Sequence, residues 1–526
     1  MNEQNQINQN DYQNLYDPNY QSVLDAPPQA VPVQPKEEIH FSKTEQICAF
    51  LAMLAGFLFI RFTLYHETGI FTTLFYWFLI TVEVIFVKHS GKTFTKSEKF
   101  VIITMYLFSC AYFITANQTM KVLTTLFLIL DSGIFLLGVS SSLNTVLRFL
   151  PEALPLSVLA MPLGAFGKCF DAVKQSKGHT AWKNAGYILG GLLIALPLTC
   201  IVASLLCQAD ENMSSLLGNF LKIPPEDLLI LVPQLLFGIL IGCGIFSAMF
   251  SATHKTILLD EETCEIKAEG CRFIPNMMLY TAVTPVCILY VLYFISQMQY
   301  FTGGFTGTLA DGFTYAEYAR KGFFELCWVC VINLAVIGAI GFFARMTGSV
   351  KPLMLKIYSV FLCFCSLFLA GTAIAKMFLY IRYYGMTRMR IYTTWFMFLL
   401  VIGFMVLIVR QFRYSLNIGK IAYIVFTVMF GILVFSRPDE WITRYNANQY
   451  LAGNLEEFDF NVVKNMSPDA WAALSFYDRG DLIQLYFQEN RDESIIQMMQ
   501  NKKEEIQSDF YDTLNLSAWE MMYNVK

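Results

Sequence analysis

Three arginines stand close together in a short segment between two apolar stretches. The segment YIRYYGMTRMRIYTTW carries Arg382, Arg388 and Arg390. A guanidinium group presents a planar fork of donors that suits carboxylate and phosphate groups. The segment therefore indicates either a binding site for an anionic group or ion pairs with acidic side chains nearby.

A second charged segment lies upstream, in TYAEYARKGFFEL. Glu317, Lys321 and Glu325 are spaced four residues apart and so share one face of a predicted helix, with Arg320 beside them. Such a face is typical of solvated charges that pair along their own helix, and it also suits a binding or acid–base site. Both interpretations stay open, and Glu317, Arg320 and Glu325 are the binding candidates.

Cysteines and histidines do not predict a metal site. Cys327 and Cys330 form a CxxC pair inside an apolar helix, without a second pair of ligands. The 5 histidines include none in HxxxH spacing. We expect no metal and no cofactor.

These charged segments lie in an unusually apolar chain. Of 526 residues, 55% are hydrophobic and 15% are charged, whereas soluble domains are about 25% charged. Single cores stop growing beyond roughly 250–300 residues, so one core cannot absorb this surplus. The composition excludes a soluble enzyme, a disordered protein and a disulfide scaffold. A basic middle between two acidic ends fits loops beside a membrane and predicts no nucleic-acid partner.

Apolar runs of spanning length alternate with short polar loops between residues 47 and 436. A membrane-spanning helix needs about 20 apolar residues. The sequence therefore predicts an all-α, polytopic membrane domain with a lipid bilayer as its surroundings. The eleven predicted spans are 47–63, 70–87, 100–117, 119–139, 187–207, 229–252, 277–298, 323–344, 357–381, 391–409 and 418–436.

Three other segments differ from these spans. Residues 1–46 are rich in Asn, Gln and Pro and are predicted to be a disordered tail. Residues 148–170 are apolar but carry three prolines, which interrupt a helix, so we expect an interfacial or re-entrant segment. Residues 437–526 predict a small helical region, with one helix beginning at Ser467-Pro468-Asp469 and ending at Gly480.

Few ionisable side chains lie within the predicted spans. Asp131 lies about 12 Å from the nearer edge and is the best intramembrane functional candidate, unless Ser132, Thr124 or a neighbouring helix satisfies it. Glu83 lies near enough to an edge to reach the interface, and Lys376 is expected to reach the polar layer at the opposite edge. Gly238 and Gly242 form a GxxxG pattern that predicts close helix packing.

The distribution of Lys and Arg predicts the topology. Loops after the even-numbered spans carry more of them than loops after the odd-numbered spans. Because basic loops stay in the cytoplasm, the N-terminal tail is predicted to be cytoplasmic and the C-terminal region extracytoplasmic.

Several segments resemble a known family. QMQYFTGG, TYAEYARKGFFEL, YGMTRMRIYT, RYNANQYL and LNLSAW resemble motifs of an uncharacterised family of bacterial multipass membrane proteins, domain of unknown function 4173, with family 4153 a close relative. We count TYAEYARKGFFEL, YGMTRMRIYT and RYNANQYL as the first, second and third motifs. Tyr445 and Asn446 match the third, but Gln449 stands where a basic residue often follows. The resemblance implies a multipass protein of the bacterial cell membrane and no particular reaction.

Three classes of function remain on this sequence. The leading one is a sensing, binding or interaction module whose outer face binds a small ligand or a protein partner, with Glu317, Arg320, Glu325, Arg388, Arg390 and Asn446 as site residues. The second is a transporter that uses Asp131. The third is a membrane enzyme acting on an envelope or lipid-linked substrate, which is less favoured because no nucleophile or histidine accompanies the glutamates.

Overall fold

A computed structural model describes most of the chain. The described residues are 40–65, 68–175, 225–296, 323–345, 352–413, 415–486, 495–508 and 514–524, with a few single helical positions between 191 and 206. The chain divides into a unit of residues 1–42 and a unit of residues 43–526. Residues 1–39 of the predicted N-terminal tail lie outside the described residues, whereas residues 43–46, which were also predicted to belong to the tail, form the start of a helix. All that follows concerns the second unit.

The second unit is built from helices, which confirms the all-α polytopic class. Ten helices among the described residues are long and apolar enough to cross a membrane. They match ten of the eleven predicted spans, while the span predicted at 187–207 falls almost entirely outside the described residues. These helices are α1 (Lys43–Phe59, continued by a π-helical turn Ile60–Tyr65), α2 (Ile70–His89), α3 (Lys96–Ser109, continued by α4, Ala111–Ile114), α5 (Gln118–Ser140), α10 (Pro225–His254), α12 (Asn276–Ser296), α13 (Phe323–Phe343), α14 (Leu353–Tyr384), α15 (Arg388–Phe412) and α16 (Ile418–Phe435).

Shorter helices connect or follow these spans. Between α5 and α12 they are α6 (Leu143–Arg148), α7 (Leu150–Pro155, continued by a π-helical turn Leu156–Ala160), α8 (Met161–Gly164), α9 (Lys168–Gln175) and α11 (Glu261–Gly270). After α16 they are α17 (Pro438–Leu451), α18 (Phe460–Lys464), α19 (Pro468–Leu474), α20 (Arg479–Tyr486), α21 (Ile495–Ser508) and α22 (Leu516–Asn524). The described part of the chain contains no strand, only an isolated bridge between Ile274 and Ala344.

Small residues bring α1 and α10 into close contact. A Cβ atom added at Gly238 would lie 2.7 Å from the Cα of Phe57, and one at Gly242 would lie 2.5 Å from the Cα of Met53. Neither position leaves room for a side chain. The packing role predicted for the GxxxG pattern is therefore confirmed.

The proline-containing segment at 148–170 is a broken helix. Residues Leu150–Gly164 and Lys168–Gln175 are bent by 41° relative to each other. The Ser247 hydroxyl of α10 donates to the carbonyl of Met161 (2.8 Å) and accepts from the amide of Ala165 (2.9 Å), which satisfies the backbone near the break. A segment of this shape accommodates the predicted re-entrant course, which remains a prediction.

The C-terminal helices α17–α22 surround a small apolar core. Phe460 and Trp471 pack edge to face in it, with ring centroids 5.8 Å apart. The helix predicted at Ser467-Pro468-Asp469 begins there as α19, but it ends at Leu474, and Gly480 lies inside the next helix, α20. The amide of Tyr477 donates a hydrogen bond to the carbonyl of Leu474 (3.1 Å), which closes the turn between the two helices.

One end of the membrane bundle carries most of the resemblance motifs. At this end, which we name the motif end, α4 leads into α5, α14 into α15, and α16 into α17. Asn117 before α5 donates to the hydroxyl of Tyr392 in α15 (3.2 Å), and the amide of Ile70 at the start of α2 donates to the carbonyl of Leu514 (2.9 Å). The C-terminal helices thus contact the bundle at the motif end.

Candidate functional site

The turn between α14 and α15 is fixed by a side chain from α17. Gly385 has φ 73° and ψ −178°, a conformation that essentially only glycine adopts. Asn446 accepts a hydrogen bond from the amide of Met386 (2.6 Å) and donates one to the Met386 carbonyl (2.8 Å). The second and third resemblance motifs therefore meet in one structural unit, and the Asn446 side chain acts there as a backbone clamp.

Arg390 strengthens the same turn. Its guanidinium donates to the carbonyls of Tyr384 (2.8 Å) and Gly385, which are left free at the end of α14. It also lies 4.0 Å from the ring centroid of Tyr380, a cation–π contact. The positive charge of Arg390 thus stabilises the C-terminal end of α14, where the helix dipole favours a cation.

Arg388 forms a two-point ion pair with Asp439 of α17. The Nε–Oδ1 distance is 2.7 Å and the Nη2–Oδ2 distance is 2.6 Å. The Asp439 side chain is fully buried, whereas that of Arg388 is 33% exposed. Oδ2 also accepts from the hydroxyl of Ser467 (2.5 Å), so α15, α17 and the start of α19 are joined at one carboxylate.

A second ionic cluster lies beside this pair. Arg437, between α16 and α17, contacts Glu440 (2.6 Å) and Glu520 (2.8 Å) and donates to the Ser517 hydroxyl (2.5 Å). Its backbone is left-handed, with φ 49°, a conformation that costs a non-glycine residue about 1–2 kcal/mol. The cluster of Arg437, Glu440, Asp469, Ser517 and Glu520, named here the Arg437 cluster, holds that backbone in place.

Asp469 links the Arg437 cluster to the membrane bundle. Its carboxylate accepts from the hydroxyl of Thr115 (2.5 Å) and from the amide of Ala116 (2.9 Å), both between α4 and α5. The Ser517 hydroxyl donates to it as well. The sequence indicates only that Asp469 begins a helix. In the structure it is a buried hydrogen-bond acceptor that joins α19 to α22 and to the segment between α4 and α5.

The acids of the Arg437 cluster outnumber its bases. Glu440, Asp469 and Glu520 share Arg437, with Arg444 pairing to Glu440 (2.7 Å) from the rim. The pKa of Glu440 is raised, chiefly by burial. The nearby carboxylates of Glu520 and Asp469 also raise it, whereas Arg437 and Arg444 lower it. Burial therefore favours the protonated form of Glu440 in the folded protein.

A polar pocket of about 570 Å³ opens between the bundle and the C-terminal helices. Its charged lining residues are Lys121 of α5, Arg388 of α15, and Lys502 and Glu505 of α21. Lys121 is buried and donates to the carbonyl of Thr68, while Lys502 pairs with Glu505 at 2.6 Å. We name this cavity the junction pocket. Its lining, within the part of the chain that the structure describes, carries three cationic side chains and one anionic side chain.

The structure brings together three of the six candidate binding residues. Arg388, Arg390 and Asn446 surround the turn at 385–390, but only Arg388 lines the junction pocket. Glu317 and Arg320 lie outside the described residues, and Glu325 is exposed in the first turn of α13. Among the described residues, no group of three His, Cys, Asp or Glu side chains is placed to hold a metal.

Sequence reasoning missed the acids that pair with the arginines. Asp439 and Glu440 follow Arg437-Pro438, a proline at the first helical position with acids in the first turn, which is a typical helix start. That signal predicts a helix and not its long-range partners. Asp439 is 51 residues from Arg388, so only the tertiary structure shows the pair.

Asp131 has hydrogen-bond partners on both carboxylate oxygens. Tyr423 of α16 donates to Oδ1 (2.9 Å) and Thr104 of α3 donates to Oδ2 (3.3 Å). The residue is 1% exposed. Its partners come from neighbouring helices rather than from Ser132 or Thr124, and the arrangement is that of a helix-bridging acid.

Glu83 does not reach the membrane interface, so that expectation is wrong. The side chain is only 3% exposed, and the Ser132 hydroxyl of α5 donates to its Oε1 (2.7 Å). Lys376 is half-buried within α14. Its expected position in the polar layer at the membrane edge stays a prediction.

Comparison with known proteins places the chain in a family. No curated protein and no solved structure matches it. The family model described as domain of unknown function DUF4153 matches residues 102–475. This is the close relative of family 4173, which the motifs resembled first, and the match includes Arg388, Asp439, Asn446 and Asp469. The chain therefore belongs to the DUF4153 family, which is defined by a domain of unknown function.

Proposed function

We propose that this multipass protein of the bacterial cell membrane is a binding module whose site is the junction pocket and whose ligand carries an anionic group. The observation that carries the proposal is the lining of that pocket by Lys121, Arg388 and Lys502, with Glu505 as the one acid among its described lining residues. Phosphate and carboxylate groups are the anions that such side chains bind best.

Arg388 supports the proposal by its geometry. Asp439 holds Nε and Nη2 of its guanidinium, which fixes the plane of the group. Within the described residues, Nη1 has no hydrogen-bond partner, and the side chain is one-third exposed. A donor that is already oriented loses little conformational entropy when a ligand binds.

The outer face of the membrane is the proposed location of this pocket. Lys92, Lys96, Arg148, Lys267 and Arg272 all follow the even-numbered spans, at the end opposite the motif end. Because basic loops stay in the cytoplasm, the motif end and the C-terminal helices face outward. A ligand would then arrive from outside the cell.

The two alternatives have less support. A transporter would use Asp131, whose carboxylate oxygens are both bonded inside packed helices. An envelope enzyme would use Glu317 or Glu325. Glu317 lies outside the described residues, and Glu325 is an exposed residue in the first turn of α13. The binding module is therefore the function that the geometry favours.

Thermal unfolding of the purified protein in lipid nanodiscs tests this proposal. The probes are inorganic phosphate, pyrophosphate and citrate, each compared with chloride at equal ionic strength. A ligand present at one hundred times its Kd adds about 2.7 kcal/mol to stability, so at least one probe should raise Tm. Lys502→Gln should reduce this rise.

Lys503→Gln is the matched control, because Lys503 is the next residue of α21 and does not line the pocket. Its response to the anions should equal that of the wild type. Absence of a rise with every probe, or equal loss in the two variants, would overturn the proposal.

A further inference from the structure

A second cavity lies inside the membrane bundle, away from the junction pocket. Its volume is about 590 Å³, within the range of about 300–1,000 Å³ that is usual for small-molecule sites. Its lining comes from α1, α2, α3, α5, α10 and the broken segment at 150–166. We name it the Glu83 cavity after the one acidic side chain among its described lining residues.

The lining of the Glu83 cavity is almost wholly apolar. Leu79, Ile80, Leu136 and Ile241 are typical members. Glu83 and Ser132 form a polar spot on this surface, joined by their hydrogen bond of 2.7 Å. A ligand for such a site is an apolar molecule with one polar group.

Glu83 carries an unsatisfied atom at this spot. Oε1 accepts from Ser132, whereas Oε2 is buried and has no hydrogen-bond partner among the described residues. A buried polar atom without a partner is costly, and more so within a membrane-spanning helix. The free oxygen is therefore positioned to accept a hydrogen bond from a molecule in the cavity.

The broken helix shapes one wall of the cavity. A Cβ atom at Gly133 would lie 3.1 Å from the Cβ of Ser157, so the glycine lets this segment approach α5 closely. Pro162 similarly approaches Gly244 of α10, where an added Cβ atom would lie 3.6 Å from the Cβ of the proline. The segment predicted as interfacial or re-entrant thus forms a wall of the cavity between α5 and α10.

The rim of the cavity faces the lipid. Ile129, Leu163 and Leu240 line the cavity and are also exposed on the outside of the bundle. Their helices belong to candidate membrane spans or to the broken helix beside them. A ligand can therefore enter sideways from the bilayer without crossing water.

We propose that the Glu83 cavity binds a single-chain lipophilic molecule from the bilayer whose small head group, an amine or a hydroxyl, donates a hydrogen bond to the Glu83 carboxylate. The apolar chain lies against the leucine and isoleucine lining, and the head group reaches Oε2. Phosphatidylcholine offers no such donor and is not the ligand.

Photoaffinity labelling in phosphatidylcholine nanodiscs tests the proposal. The probes are hexadecylamine and hexadecanol that each carry a diazirine in the chain, and labelled peptides are mapped by mass spectrometry. In the wild type, both probes should label peptides of α2, α5 and α10 that line the cavity. Unlabelled hexadecylamine should compete, whereas hexadecane should not.

Two substitutions at Glu83 separate the head groups. Glu83→Gln keeps an acceptor but removes the charge, so amine labelling should fall about tenfold while alcohol labelling persists. Glu83→Leu should remove both. Asp131→Asn is the matched control, because that buried acid does not line the cavity and should leave labelling unchanged.

Leu79→Trp tests the cavity without touching the carboxylate. It fills the space and should abolish labelling by both probes, even if the Glu83 variants fail to fold. Equal labelling of the wild type and Leu79→Trp, effective competition by hexadecane, or labels spread evenly over the lipid-facing surface would each overturn the proposal.

Discussion

The guanidinium of Arg388 lies against the carboxylate of Asp439, with two nitrogen–oxygen distances of 2.7 and 2.6 Å. The pair joins the first residue of α15 to the first turn of the helix that follows the last membrane span. It does two things at once: it anchors the C-terminal helices to the bundle, and it orients a cationic side chain on the junction pocket.

Removing one partner of this pair should destabilise the protein strongly. Asp439→Ala leaves the Arg388 guanidinium partly buried without its carboxylate, and breaking a buried pair costs about 3–5 kcal/mol. Arg388→Ala strands the buried Asp439, and the double variant should be less damaged than the sum of the single ones. Thermal unfolding in detergent measures all three.

Arg148→Ala provides the comparison for the Arg388 pair. Arg148 pairs with Glu261 at 2.6 Å, but both side chains are about half exposed, and exposed pairs contribute about 0–1 kcal/mol. Its effect on Tm should be small. Additive losses at Arg388 and Asp439 would show that the two residues stabilise the protein independently.

The Arg437 cluster predicts a pH dependence of stability. The pKa of Glu440 is raised above its ordinary value of 4.5 in the folded protein, chiefly by burial. The folded state then binds more protons than the unfolded state. The stabilisation that results from protonating Glu440 is therefore complete below pH 4.5 and is lost as pH rises through the pKa of the folded protein. Glu440→Gln, which stays neutral, should lack this loss.

The observable is the difference in Tm between Glu440→Gln and the wild type, measured upward from pH 4.5, the ordinary pKa of the carboxyl group. This difference should shift in favour of the variant as pH rises. A shift in the opposite direction would mean that the pairs with Arg437 and Arg444 outweigh burial.

The clamp at the turn between α14 and α15 predicts a specific sensitivity to a methyl group. A Cβ at Gly385 would lie 2.7 Å from Oδ1 of Asn446, so Gly385→Ala should disturb two hydrogen bonds as well as strain the backbone. Gly453 has the same φ of 73° but open space around it. Gly453→Ala should therefore cost only about 1–2 kcal/mol, and Gly385→Ala clearly more.

A double-variant cycle isolates the contact with Asn446. In an Asn446→Ala background the steric conflict is absent, so adding Gly385→Ala should cost less than it does in the wild type. Denaturation in detergent gives each value. The same cost in both backgrounds would assign the whole effect to backbone strain.

The topology remains a prediction with a direct test. Reporter fusions at Asn10 and Lys526 should show a cytoplasmic N-terminus and an extracytoplasmic C-terminus, because the basic loops lie at the end opposite the motif end. The described helices place the start of α17 at the motif end, so reporters inserted after Gly453 and at Lys526 should agree. A cytoplasmic signal at Lys526 would move the junction pocket to the inner face and remove the outer-face part of the proposed function.

The sequence by itself determined the class of protein and most of its helices. Length and hydropathy of the apolar runs determine membrane spans because each span must satisfy its backbone internally and bury about 20 apolar residues in lipid, and both conditions are local. The close packing at the GxxxG pattern and the start of α19 were predictable for the same reason, because each depends on a few neighbouring residues. The end of α19 was not, because the chain closes a turn after Leu474 and begins another helix before Gly480.

Only the tertiary structure decided which charges meet. Arg388 and Asp439 are 51 residues apart, Thr115 and Asp469 are 354 apart, and nothing local in either segment specifies the other. Asp131 and Glu83 show the same limit, because both are acids in predicted spans. Packing gives Asp131 two donors, whereas one oxygen of Glu83 faces a cavity and has no partner in the part of the chain that the structure describes. The energy of a buried charge depends on its partners and solvent access, which are set when the helices pack and not by residue type or depth.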